Sequence, residues 1–91
     1  MPLVVLSHQP PKDSGADERR GVSVGSPALR KVLDAAAPAL WICGHIHESP
    51  CARRVGDCLV VNPGPAKEGR YAIIRLDRDG GTWTASAELR G

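Results

Sequence analysis

The sequence predicts a mixed α/β fold in one small domain that spans residues 1–91. Two observations support this prediction. Short apolar runs alternate with one amphipathic helix in the first half of the chain, and two hairpin patterns occupy the second half. The chain contains no phenylalanine, one tyrosine and two tryptophans, so aliphatic side chains must build most of its core. A chain of this length buries only about 60–65% of its unfolded surface, which indicates a marginal fold or a piece of a larger one.

The first half has the pattern of a strand, a helix and a second strand. Residues 3–6 form an apolar run of strand length that we expect to be covered on both faces. The helix is predicted to begin with Ser26 as its N-cap and Pro27 as its first residue, and Pro38 ends it. Residues 40–43 form the next strand, parallel to the first. The core-facing stripe of the helix comprises Leu29, Val32, Leu33 and Ala36.

The second half has the pattern of two antiparallel hairpins. The first joins residues 52–55 to residues 58–61 across a turn at Gly56-Asp57. The second joins residues 71–76 to residues 82–89, and its last strand alternates apolar and polar side chains. Its turn is predicted at residues 77–81. These hairpins add an antiparallel tail to the α/β class.

Residues 12–25 are polar, contain three glycines and show almost no apolar periodicity, which predicts a long loop. Loops of this length in compact domains are usually functional lids or disordered segments. We interpret this one as a lid over a site, because ordered elements hold both of its ends.

Charge and cysteine content restrict the classes of function. The formal net charge is +2, and the lysines and arginines form no basic stripe. The charge therefore does not indicate nucleic-acid binding. No signal peptide and no apolar run of about 18 residues is present, so no membrane binding is inferred. The cysteines are odd in number and lack a secretory context, which predicts reduced thiols and a cytoplasmic location. They are Cys43, Cys51 and Cys58.

All three histidines follow strand-like segments. His8 lies just beyond the first apolar run, where ligands bind in open α/β sheets. His45 and His47 follow the second run, and an extended backbone would direct these two side chains to the same side. Gly44 would allow a close backbone approach. Because imidazole is the commonest metal ligand in proteins, His8, His45 and His47 are the candidate metal ligands.

Other interpretations of the same residues remain open. A single histidine after a strand is more often structural or merely exposed, and a His-x-His pair alone is a weak signal. Cys43, His45, His47 and Cys51 form a Cys-x-His-x-His-x₃-Cys string that could hold one structural zinc ion. Cysteines in such positions are more simply reduced core or hairpin residues. Asn62, which stands before Pro63, could merely shape a turn.

Three segments together resemble the calcineurin-like metallophosphoesterases. They are Ser7-His8-Gln9-Pro10-Pro11, Gly44-His45-Ile46-His47-Glu48 and Asn62-Pro63-Gly64-Pro65, in that order. The chain is similar above all to the small Icc-related phosphoesterases, whose Gly-Ser-x-Ala-Leu-Arg pattern matches Gly25-Ser26-Pro27-Ala28-Leu29-Arg30. Each motif alone is unspecific, but the set is specific and covers nearly the whole chain.

The resemblance implies metal-dependent hydrolysis of phosphate esters with two divalent ions of the Mn, Fe, Zn or Ni class. In the family's pattern, His8 and His45 ligate one ion and His47 ligates the other. The implied fold is the C-terminal half of a metallophosphoesterase-type β-sandwich flanked by helices, with antiparallel hairpins at the C-terminus. The resemblance identifies neither the substrate nor further catalytic or substrate-binding residues.

The chain lacks the motifs that this family carries in its first half. These are an Asp-x-His, a metal-bridging Gly-Asp and a phosphate-binding Asn-His-Asp/Glu, and Gly56-Asp57 stands in the wrong order along the chain. The phosphoesterase hypothesis therefore expects a missing N-terminal half as partner, or self-association through residues 3–6. It also expects the isolated chain to be inactive or weakly active. The alternative is a non-catalytic phosphoesterase-like binding module or a single-metal (zinc) structural domain.

Overall fold

The structure is a computed structural model that describes residues 2–91. Within them lie eight strands and one α-helix, which is the mixed α/β class that the sequence predicts. The strands are β1 (Val4–Leu6), β2 (Glu18–Arg19), β3 (Val22–Ser23), β4 (Leu40–Ile42), β5 (Cys51–Val55), β6 (Cys58–Asn62), β7 (Tyr71–Asp79) and β8 (Thr82–Arg90). The helix α1 (Pro27–Ala36) lies between β3 and β4, and a 3-10 turn (Ala66–Glu68) precedes β7. No helix in residues 2–91 has the length and apolar character needed to cross a membrane.

The main sheet has four strands in the order β1-β4-β6-β5. Strands β1, β4 and β6 are parallel, and β5 is antiparallel to β6. Leu6, Ile42 and Val61 stand level across the three parallel strands. The residues that follow β1 and β4, including His8 and His45, therefore emerge at the same edge of the sheet.

The structure contains both predicted hairpins, with one difference in length. β5 and β6 join at residues 56–57, as expected. β7 and β8 pair along their whole length until Asp79 stands opposite Thr82. The prediction of a turn at residues 77–81 is wrong, because only residues 80–81 form the turn. Both are glycines with positive φ, which a two-residue hairpin turn favours.

The helix covers one face of the sheet, and the β7–β8 hairpin covers the other. On the helix side, Trp41 and Val60 are fully buried and belong to one core cluster with Leu33 of α1. On the hairpin side, Val61 shares a second cluster with Ala85 of β8. Successive residues of a strand point to opposite faces. The continuous apolar runs in β4 and β6 therefore follow from burial on both sides.

Helix α1 begins as predicted, but its buried stripe is narrower. Ser26 caps it, since its Oγ accepts a hydrogen bond from the Leu29 amide at 3.1 Å. Within the helix Leu33 is the buried residue, and Leu29 packs against the same core. The expectation that Val32 and Ala36 face the core is wrong, because both are exposed. Helix α1 packs against a single sheet. Leu29 and Leu33, four residues apart, are enough to fill the contact between the two.

β1 is the least covered strand of the main sheet. Val4 is 42% exposed and Leu6 is 78% exposed, so the expectation that residues 3–6 are covered on both faces is wrong. Val5 points to the opposite face and packs against the helix-side core. In the described part of the chain β1 pairs only with β4, so its other edge has no strand neighbour there.

Residues 12–25 form an ordered segment that contains a small hairpin, whereas the sequence predicted only a long loop. The segment contains the small β2–β3 hairpin, in which Arg19 pairs with Val22. Ala16 and Asp17 are fully buried, and Ala16 belongs to the helix-side core. Small and polar side chains, held by hydrogen bonds, fix this segment. Such a segment shows no apolar periodicity in its sequence.

Candidate metal centre

His8 and His45 meet at the carboxyl edge of the sheet. His8 Nε2 lies 2.8 Å from His45 Nδ1, and the two rings are arranged edge to face with their centroids 4.6 Å apart. The Gly44 amide donates to the His8 carbonyl at 3.1 Å, which fastens the two backbones together beside the rings. Both side chains are exposed. Parallel strands thus bring together two histidines that are 37 residues apart in the sequence.

The separation of the two nitrogens suits two ligands of one metal ion. Zinc–imidazole bonds of about 2.0–2.1 Å place two nitrogens on the same ion roughly 3.0–3.4 Å apart. The distance between His8 Nε2 and His45 Nδ1 is 2.8 Å, so a small outward movement of either ring is sufficient. Neutral imidazole nitrogens are donors that first-row divalent ions accept well. The pair therefore fits a divalent metal ion.

The backbone at His45 adopts the left-handed region, with φ of 66°. The Ile46 amide donates to the Gly44 carbonyl at 2.7 Å and closes a three-residue turn around His45. A non-glycine residue in such a turn is strained, and strain of this kind concentrates at functional sites. The prediction of an extended backbone at His45 and His47 is wrong, because a bend at His45 is followed by a turn. Gly44 is not the residue with positive φ.

His47 does not join the other two histidines in a cluster of three ligands. Its side chain is exposed and lies in the turn that the Ser49 amide closes by donating to the Ile46 carbonyl at 3.2 Å. Among residues 2–91, no three side chains of the His, Cys, Asp and Glu types gather in a way that could hold an ion. The bent backbone removes the alternation that was expected to direct His45 and His47 to the same side. The assignment of His47 to a second ion stays a prediction.

The cysteines do not face the histidine pair. Cys43 packs in the helix-side core, and burial raises the pKa of its thiol to about 12. Burial also raises the pKa values of Cys51 and Cys58. Cys58 belongs to the same core cluster, and Cys51 packs against it. Because Cys43 points into the core while His45 is exposed, the structure does not assemble the Cys-x-His-x-His-x₃-Cys string.

Asn62 connects the loops around the histidines, which is more than the turn that was one interpretation of its place before Pro63. It lies at the end of β6 and is 1% exposed. Its Nδ2 lies 2.9 Å from the Ile46 carbonyl, 3.1 Å from that of Ser49 and 3.3 Å from that of Ala16. Its Oδ1 accepts from the Gly64 amide at 3.1 Å, which is the expected turn contact. Two signals in the sequence pointed to Asn62: it is a polar residue at the end of an apolar strand, and it opens the Asn62-Pro63-Gly64-Pro65 motif.

Ser49 ties the segment of residues 12–25 to the histidine turn. Its Oγ donates to the Gly15 carbonyl at 2.8 Å and accepts from the Glu18 amide at 3.1 Å. Ser49 itself is buried. The segment that was interpreted as a lid is therefore anchored at its centre.

Asp17 folds residues 12–25 around its own carboxylate. Its Oδ2 accepts from the amides of Asp13 and Gly25, each at 2.9 Å, and from the Ser23 hydroxyl. Burial alone would raise the pKa of Asp17, but these hydrogen bonds outweigh it and lower the pKa below its ordinary value. The sequence did not single out Asp17, because one carboxylate among several in a polar stretch has no distinguishing pattern.

We expect Asp17→Asn to lower the free energy of unfolding by about 2–3 kcal/mol, because hydrogen bonds to a charged acceptor are lost. The matched control is Glu18→Gln, since the Glu18 side chain is exposed. A lowered pKa means that the carboxylate stabilises the fold above its unfolded pKa of about 3.9, and that this contribution is lost as the pH falls through the folded value. Denaturant unfolding of both variants, at neutral pH and in acid, measures the effect. Equal stability of Asp17→Asn and the unaltered chain would contradict it.

Comparisons with known proteins define the class. The sequence model of the metallophosphoesterases of the calcineurin superfamily matches residues 2–80. The chain therefore belongs to the calcineurin superfamily of metallophosphoesterases, which confirms the resemblance seen in its motifs.

Two similar proteins are longer than this chain. The chain is 37% identical over 68 residues to "Uncharacterized protein MJ1162" of Methanocaldococcus jannaschii, and the match covers 69% of this chain and 31% of that protein. A crystal structure is similar with a TM-score of 0.72 and 25% sequence identity, over 96% of this chain and 32% of the other. The chain thus spans about a third of the length of the proteins that it matches.

Proposed function

We propose that this chain supplies the histidine part of a two-metal centre that hydrolyses phosphate esters. The observation that carries the proposal is the 2.8 Å approach of His8 Nε2 to His45 Nδ1 at the carboxyl edge of the sheet. Membership of the metallophosphoesterase superfamily supports the class of reaction. In this proposal His8 and His45 ligate one divalent ion, and His47 ligates a second.

In this chemistry the chain positions two histidine ligands and leaves them open to solvent. Two divalent ions, when bound, would activate a water molecule and neutralise the phosphoryl oxygens during in-line attack. His8 and His45 offer neutral nitrogen lone pairs from two adjacent strand ends, and the Gly44–His8 backbone hydrogen bond fixes their spacing. Because both rings are exposed, a phosphate ester can reach them from solvent.

A dinuclear centre needs carboxylates that the histidine pair does not provide. Imidazole ligands are neutral, so they leave the charge of two divalent ions uncompensated. The carboxylate of the histidine motif, Glu48, forms an ion pair with Arg19 at 3.2 Å. No carboxylate completes a cluster of three such side chains with the histidines within residues 2–91. We therefore place the bridging carboxylates in the part of the fold that the longer matched proteins have and this chain does not span.

The open edge of β1 is the surface at which we propose that this remaining part attaches. The edge has no strand neighbour in the described residues, and its side chains Val4 and Leu6 are largely exposed. A strand added there would satisfy the free backbone groups and place its own side chains beside Val4 and Leu6. The edge also adjoins His8, so an added strand would end beside the metal site. A second copy of this chain is the competing occupant.

The test compares the chain alone with the completed chain, meaning this chain joined to a segment that carries the Asp-x-His and Asn-His-Asp/Glu motifs. With Mn²⁺ and bis(p-nitrophenyl) phosphate, we expect the 91-residue chain alone to show little or no turnover. We expect the completed chain to show metal-dependent turnover. Robust turnover by the chain alone would contradict the need for added carboxylates, and an inactive completed chain would contradict the proposed function.

A further inference from the structure

We infer that Asn62 is a positioning residue for the histidine pair. Its side-chain amide holds the peptide between His45 and His47 through the Ile46 carbonyl, and thereby sets the direction of the His45 ring. The consequence for metal binding rests on the proposed function, whereas the consequence for the ring geometry does not.

Two donors hold the Ile46 carbonyl. It accepts from Asn62 Nδ2 at 2.9 Å and from the Ser49 amide at 3.2 Å, so both of its lone pairs are engaged. Of the three carbonyls around Nδ2, that of Ile46 is the nearest. The Ile46 side chain is 2% exposed, which anchors the same residue in the interior. Ile46 is therefore fixed at both its backbone and its side chain.

The backbone at His45 is strained. A φ of 66° is unfavourable for a histidine and persists only when neighbouring structure enforces it. Ile46 follows directly, and its amide closes the turn onto Gly44. Fixing Ile46 therefore holds His45 in the conformation that places its Nδ1 2.8 Å from His8 Nε2.

Asn62 itself is held in place at its backbone and its side chain. It is the last residue of β6 and pairs with Cys51 of β5. Its Oδ1 accepts from the Gly64 amide, so the side chain cannot turn over without facing its carbonyl oxygen toward other carbonyls. The position thus requires two donors on one side and an acceptor on the other. An amide meets this requirement, and a carboxylate of the same shape does not.

Asn62→Asp removes the hydrogen bond to the Ile46 carbonyl while preserving the shape of the side chain. Two control variants separate this effect from its alternatives. Ser49→Ala loosens residues 12–25 by removing the hydroxyl contacts with Gly15 and Glu18, and leaves the Ile46 contact intact. Val60→Ala weakens the buried core on the same strand and removes no hydrogen bond to the histidine turn.

The experiment records the ring-nitrogen NMR signals of His8 and His45 and titrates each 91-residue variant with Co²⁺. In Asn62→Asp we expect these signals to move to the values of unpaired, averaged imidazoles while the Trp41 indole signal stays dispersed. We expect Co²⁺ affinity to fall about 10- to 100-fold, which is usual when the support of a ligand is removed. Ser49→Ala and Val60→Ala should retain the paired ring signals and nearly unchanged affinity.

Paired ring signals in Asn62→Asp would overturn the inference, as would an equal loss of pairing in Val60→Ala. If Asn62→Asp does not fold, Asn62→Ala removes the donors without adding a charge and carries the same expectation. If both variants fail to fold while Val60→Ala folds, Asn62 is required for the fold as a whole, and the inference of a specific positioning role is overturned. If the unaltered chain binds no Co²⁺, the result counts against metal binding by the histidine pair alone, and the ring signals still decide the role of Asn62.

Discussion

Replacing His8 or His45 with alanine in the completed chain is expected to abolish phosphoester hydrolysis and to empty one metal position in preference to the other. The reason is that the facing nitrogens of these two rings, 2.8 Å apart, serve a single ion. His47→Ala should instead deplete the second ion. Metal content per chain, measured together with kcat/KM for each variant, checks all three assignments.

The matched controls are Cys43→Ser and Cys51→Ser. Cys43 is buried in the helix-side core and Cys51 packs against it, so neither substitution is expected to alter the metal content. A structural zinc site built on these cysteines would behave in the opposite way. Loss of metal in the cysteine variants, together with continued hydrolysis by the histidine variants, would overturn the phosphoesterase assignment.

The isolated 91-residue chain is expected to self-associate through β1, and Leu6→Lys is expected to weaken this association at least about tenfold. Leu6 is 78% exposed on a strand edge, where a charged side chain opposes strand addition. Val32→Lys is the control, because Val32 is an exposed apolar residue on helix α1 rather than on β1. Sedimentation velocity over a range of concentrations measures the association of all three chains.

The completed chain distinguishes the two occupants of this edge. If the remaining part of the fold covers β1, the completed chain is a monomer, and the Val4 and Leu6 amides are protected from hydrogen exchange. A well-folded monomer of the isolated chain at high concentration would contradict the predicted self-association. Persistent dimers of the completed chain, lost in Leu6→Lys, would instead favour a second copy as the occupant.

Local sequence patterns were sufficient for the elements that depend on local rules. Ser26 and Pro27 marked the start of α1, and the apolar run at β4 marked a buried strand. The meeting of His8 and His45 was also predictable, because parallel strands align their carboxyl ends. Each of these features follows from one strand or helix and its direction.

The polar network around the site was not predictable in the same way. The three carbonyls that Asn62 contacts lie 13 to 46 residues away along the chain, so no local pattern reveals them. The turn at His45 depends on that network, which explains why an extended segment was expected there. The exposure of Val32 depends likewise on how much of α1 the sheet can cover. These features belong to tertiary structure.

Titration of the isolated chain with Co²⁺, followed by its absorption spectrum, tests most directly whether His8 and His45 hold a metal ion. We predict weak binding of one ion without a thiolate-to-cobalt charge-transfer band, loss of this binding in His8→Ala and His45→Ala, and no change in Cys51→Ser. Undiminished binding in His8→Ala and His45→Ala, with a thiolate band that disappears in Cys51→Ser, would contradict the account.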